Sequence, residues 1–180
     1  IIHHNDESIR KFISKKEFND IENWDVSKVT NMSFLFEDII NFNEDISNWN
    51  VSNVKDMRGM FYGCKNFNID ISKWNMGNVI NMGNMFSFCY NFNQDISKWN
   101  VSSVIDMYSL FYNCYKFDCD INDWDVSNVT NMNYMFRGCK SLDSYIKNWC
   151  MIKNNNNIFG VFYKSKNYNM LKIQYSVLVY

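Results

Sequence analysis

The sequence contains no proline and no alanine, and its 180 residues include only six glycines and two histidines. The absence of alanine excludes an alanine-rich helix bundle. With so few glycines, no glycine-rich phosphate-binding loop can be recognised. An excess of asparagine, isoleucine, lysine and tyrosine over alanine, proline and arginine is typical of an AT-rich genome, so part of this bias carries no functional information.

Charge and hydropathy exclude two classes of partner. The net charge is −1 and the pI is about 6.1, which gives no overall attraction to nucleic acid or to an anionic membrane. Hydrophobic residues make up 47% of the chain, yet no apolar run approaches the length of a transmembrane segment. We therefore predict no nucleic-acid partner and no membrane span.

His3 and His4, the two histidines, precede the repeats described below. A Ser–His–Asp or Cys–His arrangement therefore has no base within those repeats. The sequence predicts that the protein is not an enzyme, with no catalytic residue, no bound cofactor and no histidine metal site.

A repeat of 25 residues organises the chain, and no insertion or deletion breaks it across about 125 residues. Phenylalanine, methionine, valine and isoleucine columns keep the same spacing as the tryptophans. Units of this size bury their apolar positions only by stacking, which predicts one continuous core without disulfides or metal. The tryptophan column comprises Trp24, Trp49, Trp74, Trp99, Trp124 and Trp149.

Within one unit, the alternation of polar and apolar residues around Ile71 predicts a short strand with this side chain inward. Apolar residues at helical spacing over 79–86 predict a short helix. Serines precede this stripe as candidate N-caps, and glycine or asparagine follows it as a candidate left-handed C-cap. These cap positions are Ser27, Ser52, Ser102 and Ser127 at the start, and Gly63, Asn113 and Gly138 at the end.

The two ends of the chain depart from the repeat. Residues 1–19 predict an N-terminal capping helix or degenerate coil, capped at Ser8, and residues 20–151 form the repeat array. Residues 152–180 predict a degenerate coil followed by a C-terminal capping strand. The alternating apolar residues of 171–180 form a strand edge through which the chain can self-associate.

An aspartate column is the candidate for a specific chemical role. Like charges stacked about 5 Å apart repel by about 3–4 kcal/mol per pair at an effective dielectric near 20, so an interaction must offset this repulsion. We favour backbone N–H donors at a turn between coils. The alternatives are a solvated acidic stripe and a cation such as Ca²⁺, which would also contact the Asn43, Asn68 and Asn93 column. The column is Asp20, Asp45, Asp70, Asp95 and Asp120, of which the last four would form the cation ladder.

Three further sets of columns have a structural or a variable character. The four cysteines of one column share it with Ile39, so we interpret them as buried, reduced fillers, and Cys119 and Cys150 as more exposed and unpaired. A mixed Asn/Asp column is expected to form hydrogen bonds from coil to coil. Two variable columns are expected to face a partner. The cysteines are Cys64, Cys89, Cys114 and Cys139; the mixed column is Asn31, Asp56, Asn81, Asp106 and Asn131; the variable columns are Glu44, Ile69, Gln94 and Cys119, and Ser33, Arg58, Gly83, Tyr108 and Asn133.

The repeat resembles that of the BspA-like leucine-rich-repeat surface proteins, in their 25-residue variant from mycoplasma-type lipoproteins. Residues 92–114, FNQDISKWNVSSVIDMYSLFYNC, are a good copy of the pattern, and the fit covers roughly residues 20–150. The resemblance implies an α/β repeat: a leucine-rich-repeat-like, right-handed solenoid with one short strand and one short helix per 25-residue coil.

The resemblance also implies a function. It predicts a non-enzymatic recognition or adhesion module on a cell or virion surface, with a protein or glycan partner. The alternative is a structural building block of a larger assembly, such as a virion or a surface layer.

Overall fold

The computed structural model describes residues 2–143, residue 149 and residues 157–166. These residues contain one α-helix, α1 (Asp6–Ser14), one 3-10 helix (Ile21–Asn23) and no β-strand. Equivalent positions of successive units are joined by isolated parallel bridges. The bridges are His3 with Asp25, Asn31 with Asp56, Asp56 with Asn81, Asn81 with Asp106, Asp106 with Asn131, and Asn131 with Asn157.

The predicted α/β solenoid, with one strand and one helix per coil, is wrong for the described residues. Each unit contains two left-handed residues four positions apart, and a left-handed residue ends both a helix and a strand. Gly63, Asn113 and Gly138 are indeed left-handed, but they lie in turns and cap no helix. The two left-handed columns are Phe34, Gly59, Asn84, Ser109, Tyr134 and Gly160, and Asp38, Gly63, Phe88, Asn113, Gly138 and Lys164.

Backbone hydrogen bonds alternate between two directions in the segment that was predicted to be helical. The N–H groups of Gly59 and Phe61 donate to the next unit, at Gly83 O (2.8 Å) and Met85 O (3.0 Å). The intervening Met60 and Tyr62 donate three residues back, to Met57 O and Gly59 O. Every second N–H group therefore bonds to the next unit, and the N–H groups between them close tight turns within their own unit.

The predicted inward columns are buried in one hydrophobic core. Phe61 stacks on Phe86 of the next unit, with ring centroids 5.7 Å apart, and on Phe67 of its own unit at 3.9 Å. Trp99 stacks on Trp124 at 6.4 Å, nearly parallel. The aromatic columns thus form the continuous core that the repeat predicted.

The tryptophans also tie neighbouring units through a hydrogen bond that the sequence did not predict. Each indole N–H of the later units donates to the isoleucine carbonyl 28 residues earlier. Trp74 Nε1, for example, lies 3.1 Å from Ile46 O. Each such indole therefore contributes apolar area and a satisfied donor to the same interface between units.

Helix α1 covers the first unit. Its N-cap is Asn5, whose side chain accepts from Glu7 N and Ser8 N, so Ser8 is the third helical residue of a capping box and not the predicted cap. Asp6 Oδ1 accepts from Thr30 N (2.7 Å), and Arg10 donates to Ser33 O (2.8 Å). The helix thus satisfies backbone groups at the open side of the first unit.

Residues 157–166 continue the stack after the unit that contains Phe136. Equivalent positions are here 26 residues apart, as in the bridge between Asn131 and Asn157, and not 25. Phe136 N donates to Val161 O, and the Phe136 ring stacks on Phe162 at 5.4 Å. The predicted C-terminal strand at 171–180, on which the self-association prediction rests, lies outside the described residues. Within the described ranges, no helix has the length and apolar character needed to cross a membrane.

Candidate functional site

The aspartate column from Asp45 to Asp120 lies in tight turns that the carboxylates themselves close, whereas the side chain of Asp20 makes no cap hydrogen bond. Ser72 N donates to Asp70 Oδ1 (2.9 Å), and Ser97 N donates to Asp95 Oδ1 (3.0 Å). Hydrogen bonds from the serine side chain and backbone hold the pKa of both carboxyls below the usual range. The favoured backbone donor is present, although the turn lies within a unit and not between units.

Hydrogen bonds of this kind stabilise a carboxylate. Over residues 2–143, 149 and 157–166, no three His, Cys, Asp or Glu side chains are arranged to hold a metal ion. Asp45 and Asp120 follow the same pattern, with Ser47 N and Asn122 N as donors at 3.0 Å.

The Asn43 column, which was considered for the cation, instead connects the units. Asn43 Oδ1 accepts from Asn68 N (2.8 Å), and Asn68 Oδ1 accepts from Asn93 N (2.9 Å). Asp118 N donates to Asn93 Oδ1 in the same way. The side-chain ladder between coils therefore exists in this column.

The mixed column from Asn31 to Asn131 was predicted to form that ladder, and this prediction is wrong. Its side chains accept from the backbone two residues later in the same unit, as Asp56 Oδ1 does from Arg58 N (2.9 Å). The backbone of this column forms the parallel bridges between units. The predicted serine N-caps have a similar explanation, since Ser52 N donates to Asn50 Oδ1 (3.2 Å) in another turn of this kind.

Cys64, Cys89, Cys114 and Cys139 are free and buried, as predicted. Each thiol also donates to the phenylalanine carbonyl 28 residues earlier, such as Cys114 Sγ to Phe86 O (2.8 Å). Burial raises the pKa of Cys64 to about 12, so this thiol is unreactive at neutral pH. Cys119 is half-buried, and Cys150 lies outside the described residues.

The two histidines lie against the first unit. His3 Nδ1 contacts Asp25 Oδ2 at 2.6 Å, and His4 is buried between Phe12 and Trp24. Burial lowers the pKa of His4, and its Nε2 has no hydrogen-bond partner. His4 Nδ1 lies 3.3 Å from Ser8 Oγ, which belongs to the capping box of α1. This contact does not resemble that of a catalytic serine with its base.

Exposed aromatic rings and cations gather on one side of the stack. This side, which we call the aromatic–basic face, is formed by the solvent-facing side chains of five equivalent turn segments. Backbone hydrogen bonds between successive segments place them side by side, as from Gly63 N to Ser87 O. The segments are 58–66, 83–91, 108–116, 133–141 and 159–166.

Two rings at the middle of the face stack on each other between two lysines. The Tyr90 and Tyr115 centroids lie 4.5 Å apart with nearly parallel planes. Lys65 Nζ is 5.5 Å from the Tyr90 centroid and Lys140 Nζ is 4.0 Å from the Tyr115 centroid. These four side chains come from four consecutive units and form a line along the stack.

A second cluster surrounds Arg137. Its guanidinium carbon lies 5.5 Å from the Tyr112 centroid, 5.4 Å from Tyr134 and 4.9 Å from Tyr163. Tyr108 and Phe159 flank this cluster and are 37% and 56% exposed, values that are high for aromatic rings. The face therefore presents flat apolar surfaces beside fixed positive charges.

The sequence located only part of this face. Of the predicted variable columns, the one containing Arg58 and Tyr108 reaches it. In the other, Ile69 packs against the core and Gln94 donates to Asn68 O (2.8 Å). The columns that contain Tyr62, Tyr90 and Arg137 were missed. Their signal in the sequence is that aromatic and basic residues recur at corresponding positions of successive units.

Comparisons with known proteins place the chain in a family. Residues 7–105 and residues 69–175 each match the family described as “Mycoplasma protein of unknown function, DUF285”. No curated protein and no solved structure matches the chain significantly. The two matches overlap and together span most of the sequence, as expected of a chain built from repeated units. The chain therefore belongs to the DUF285 family.

Proposed function

We propose that the protein is a non-enzymatic recognition module that binds a protein or glycan partner at a cell or virion surface. The observation that carries this proposal is the aromatic–basic face, because exposed aromatic rings are rarely gathered on one side of a stable fold without a partner. The resemblance of the repeat to that of BspA-like surface proteins supports an adhesive role.

The scaffold suits recognition because the residues that form the core and the residues that face solvent occupy different positions of the repeat. Buried columns such as that of Phe61 and Phe86 repeat with little change and hold the units in register. Exposed positions between them vary from unit to unit, as Arg58, Gly83 and Tyr108 do. Surface residues can therefore be matched to a partner without altering the core.

The alternative role, as a building block of a larger assembly, rests on self-association through residues 171–180. Those residues lie outside the described part of the chain. The aromatic–basic face therefore gives recognition the stronger support.

The proposal is tested by binding of the intact chain to arrays of immobilised glycans and extracellular proteins. The face variant carries Tyr108→Ser and Phe159→Ser. The control carries Ile80→Ser and Ile105→Ser, two residues that are 43% and 46% exposed outside the face segments. We expect the face variant to lose at least tenfold in affinity and the control to bind normally. Equal binding by both variants, or no ligand on either array, would contradict the proposal.

A further inference from the structure

The aromatic–basic face lacks acidic residues. Its five segments contain seven of the 18 basic residues of the chain and none of the 19 acidic ones. Three carboxylates border these segments: Asp56 and Asp106 accept from the backbone of Arg58 and Tyr108, and Asp143 pairs with Lys166. The equivalent segment of the first unit does carry Glu37 and Asp38, so the acid-free surface begins at the second unit. The seven basic residues are Arg58, Lys65, Lys116, Arg137, Lys140, Lys164 and Lys166.

Four of these cations contact aromatic rings of the face, and Arg58 lies over Phe34 of the preceding unit. Lys166 pairs with Asp143 at 2.6 Å. A cation over a ring is partly ordered and partly desolvated, so it loses less entropy when it meets an anion. The rings, in turn, supply flat apolar area beside each charge. The surface thus alternates positive charge with flat apolar patches along the stack.

Five consecutive backbone donors of the segment 58–66 are already used. Gly59, Phe61 and Gly63 donate to the following unit, and their neighbours Met60 and Tyr62 close turns. A peptide that adds to a protein as a strand needs unpaired backbone groups, and these five amides offer none. Recognition here depends on ring faces and side-chain charges.

We propose that the aromatic–basic face binds an acidic polysaccharide, in which carboxylate or sulfate groups alternate with the apolar faces of sugar rings. This inference rests on the proposed recognition function and names its partner. Sugar rings stack on the exposed tyrosine and phenylalanine rings, and lysine and arginine pair with the anionic groups. Repetition of the units along the stack matches the repetition of a polymer along its chain. The chain's near-neutral net charge and the acidic end at Glu37 and Asp38 give no overall attraction to a nucleic acid.

The test uses the intact chain with four probes: hyaluronan, a heparin oligosaccharide, neutral dextran and a single-stranded oligonucleotide. The face variant carries Lys65→Gln and Lys140→Gln, the two lysines beside Tyr90 and Tyr115. The matched control carries Lys73→Gln and Lys98→Gln, which remove the same charge from exposed turns outside the face. Melting temperatures of both variants establish that they fold.

We expect at least one acidic glycan to bind, with an affinity that falls at least tenfold in the face variant and less than twofold in the control. Added salt should weaken this binding, because the ion pairs are exposed. A third variant, Tyr108→Ser with Phe159→Ser, keeps the charge and removes two rings that are 37% and 56% exposed; it should also lose binding, which a purely electrostatic attraction would not do.

The remaining outcomes separate the two proposals. If dextran binds through the face while acidic glycans do not, this inference is overturned and the recognition function stands. If the oligonucleotide binds as tightly as the glycans, the face is an unspecific or nucleic-acid surface and the inference is likewise overturned. If no probe binds, or if the control loses as much as the face variant, the face does not recognise acidic polysaccharides.

Discussion

At the scale of single residues, a left-handed position limits which side chain fits at the equivalent position of the next unit. A side chain at such a position leans toward the same column of the next unit. The Phe34 ring lies so close to Gly59 that a Cβ on this glycine would be 2.3 Å from the ring. Tyr134 lies over Gly160 in the same way, at 2.8 Å. The rings of Phe34 and Tyr134 are thus each accommodated by a glycine in the following unit.

Gly59→Ala should therefore destabilise the protein, because alanine meets both the Phe34 ring and the left-handed backbone (φ 59°). We expect a loss of about 1–2 kcal/mol in the free energy of unfolding. Gly77→Ala is the control, since Gly77 is not left-handed and its nearest contact to an added Cβ is 3.3 Å. Urea unfolding measures both. If the two variants are equally stable, the close approach of Phe34 to Gly59 is not present in solution.

Residue-scale features divide into those that the sequence predicts and those that it does not. The burial of Trp74 and the reduced state of Cys89 follow from columns that repeat without change. The indole and thiol hydrogen bonds to carbonyls 28 residues earlier do not, because a spacing of 25 reveals which residues stack but not which backbone atom a side chain reaches.

At the scale of elements, α1 is the helix that the sequence predicted, and the helices predicted in the repeats are absent from the described units. Met82 and Met85 are three residues apart and buried, as in a helix. A series of three-residue turns produces the same spacing, and Met85 N indeed donates to Met82 O. Apolar periodicity alone does not separate these structures. The left-handed residues distinguish the turns from a helix. A phenylalanine or tyrosine at a left-handed position cannot be recognised from the sequence, because these residue types rarely adopt that conformation.

The attachment of α1 depends on a neutral His4. The ring packs between Phe12 of α1 and Trp24 of the first unit, beside Ser8, and its Nε2 is buried without a partner. Burial lowers its pKa, while nearby Asp25 opposes this shift. A histidine whose pKa is lower in the folded state stabilises the fold fully above its unfolded pKa of about 6.5, and this stability is lost as pH falls below that value.

We therefore expect the N-terminal segment to loosen as the pH falls below about 6.5. Amide exchange of α1, followed over this range, measures the effect. His4→Phe keeps an aromatic ring that cannot titrate, and should remove the pH dependence. A pH dependence that survives in His4→Phe would show that another group is responsible.

At the scale of the whole molecule, the register between units creates both the core and the aromatic–basic face. The stack brings Lys65, Tyr90, Tyr115 and Lys140 into one line although 75 residues separate the first from the last. The 25-residue period predicts this alignment. Which columns face solvent together follows only from the positions of the turns, so the sequence identified one column of the face and missed the others.

The central claim is that the turn segments donate hydrogen bonds to the next unit, and it can be tested directly by NMR. Scalar couplings across hydrogen bonds identify the acceptor carbonyl of each amide. We predict couplings from Gly59 N to Gly83 C=O and from Phe61 N to Met85 C=O, with Tyr62 N coupled to Gly59 C=O. Couplings from these amides to carbonyls four residues earlier would show a helix in each unit. That result would contradict the stacked turns and, with them, the aromatic–basic face.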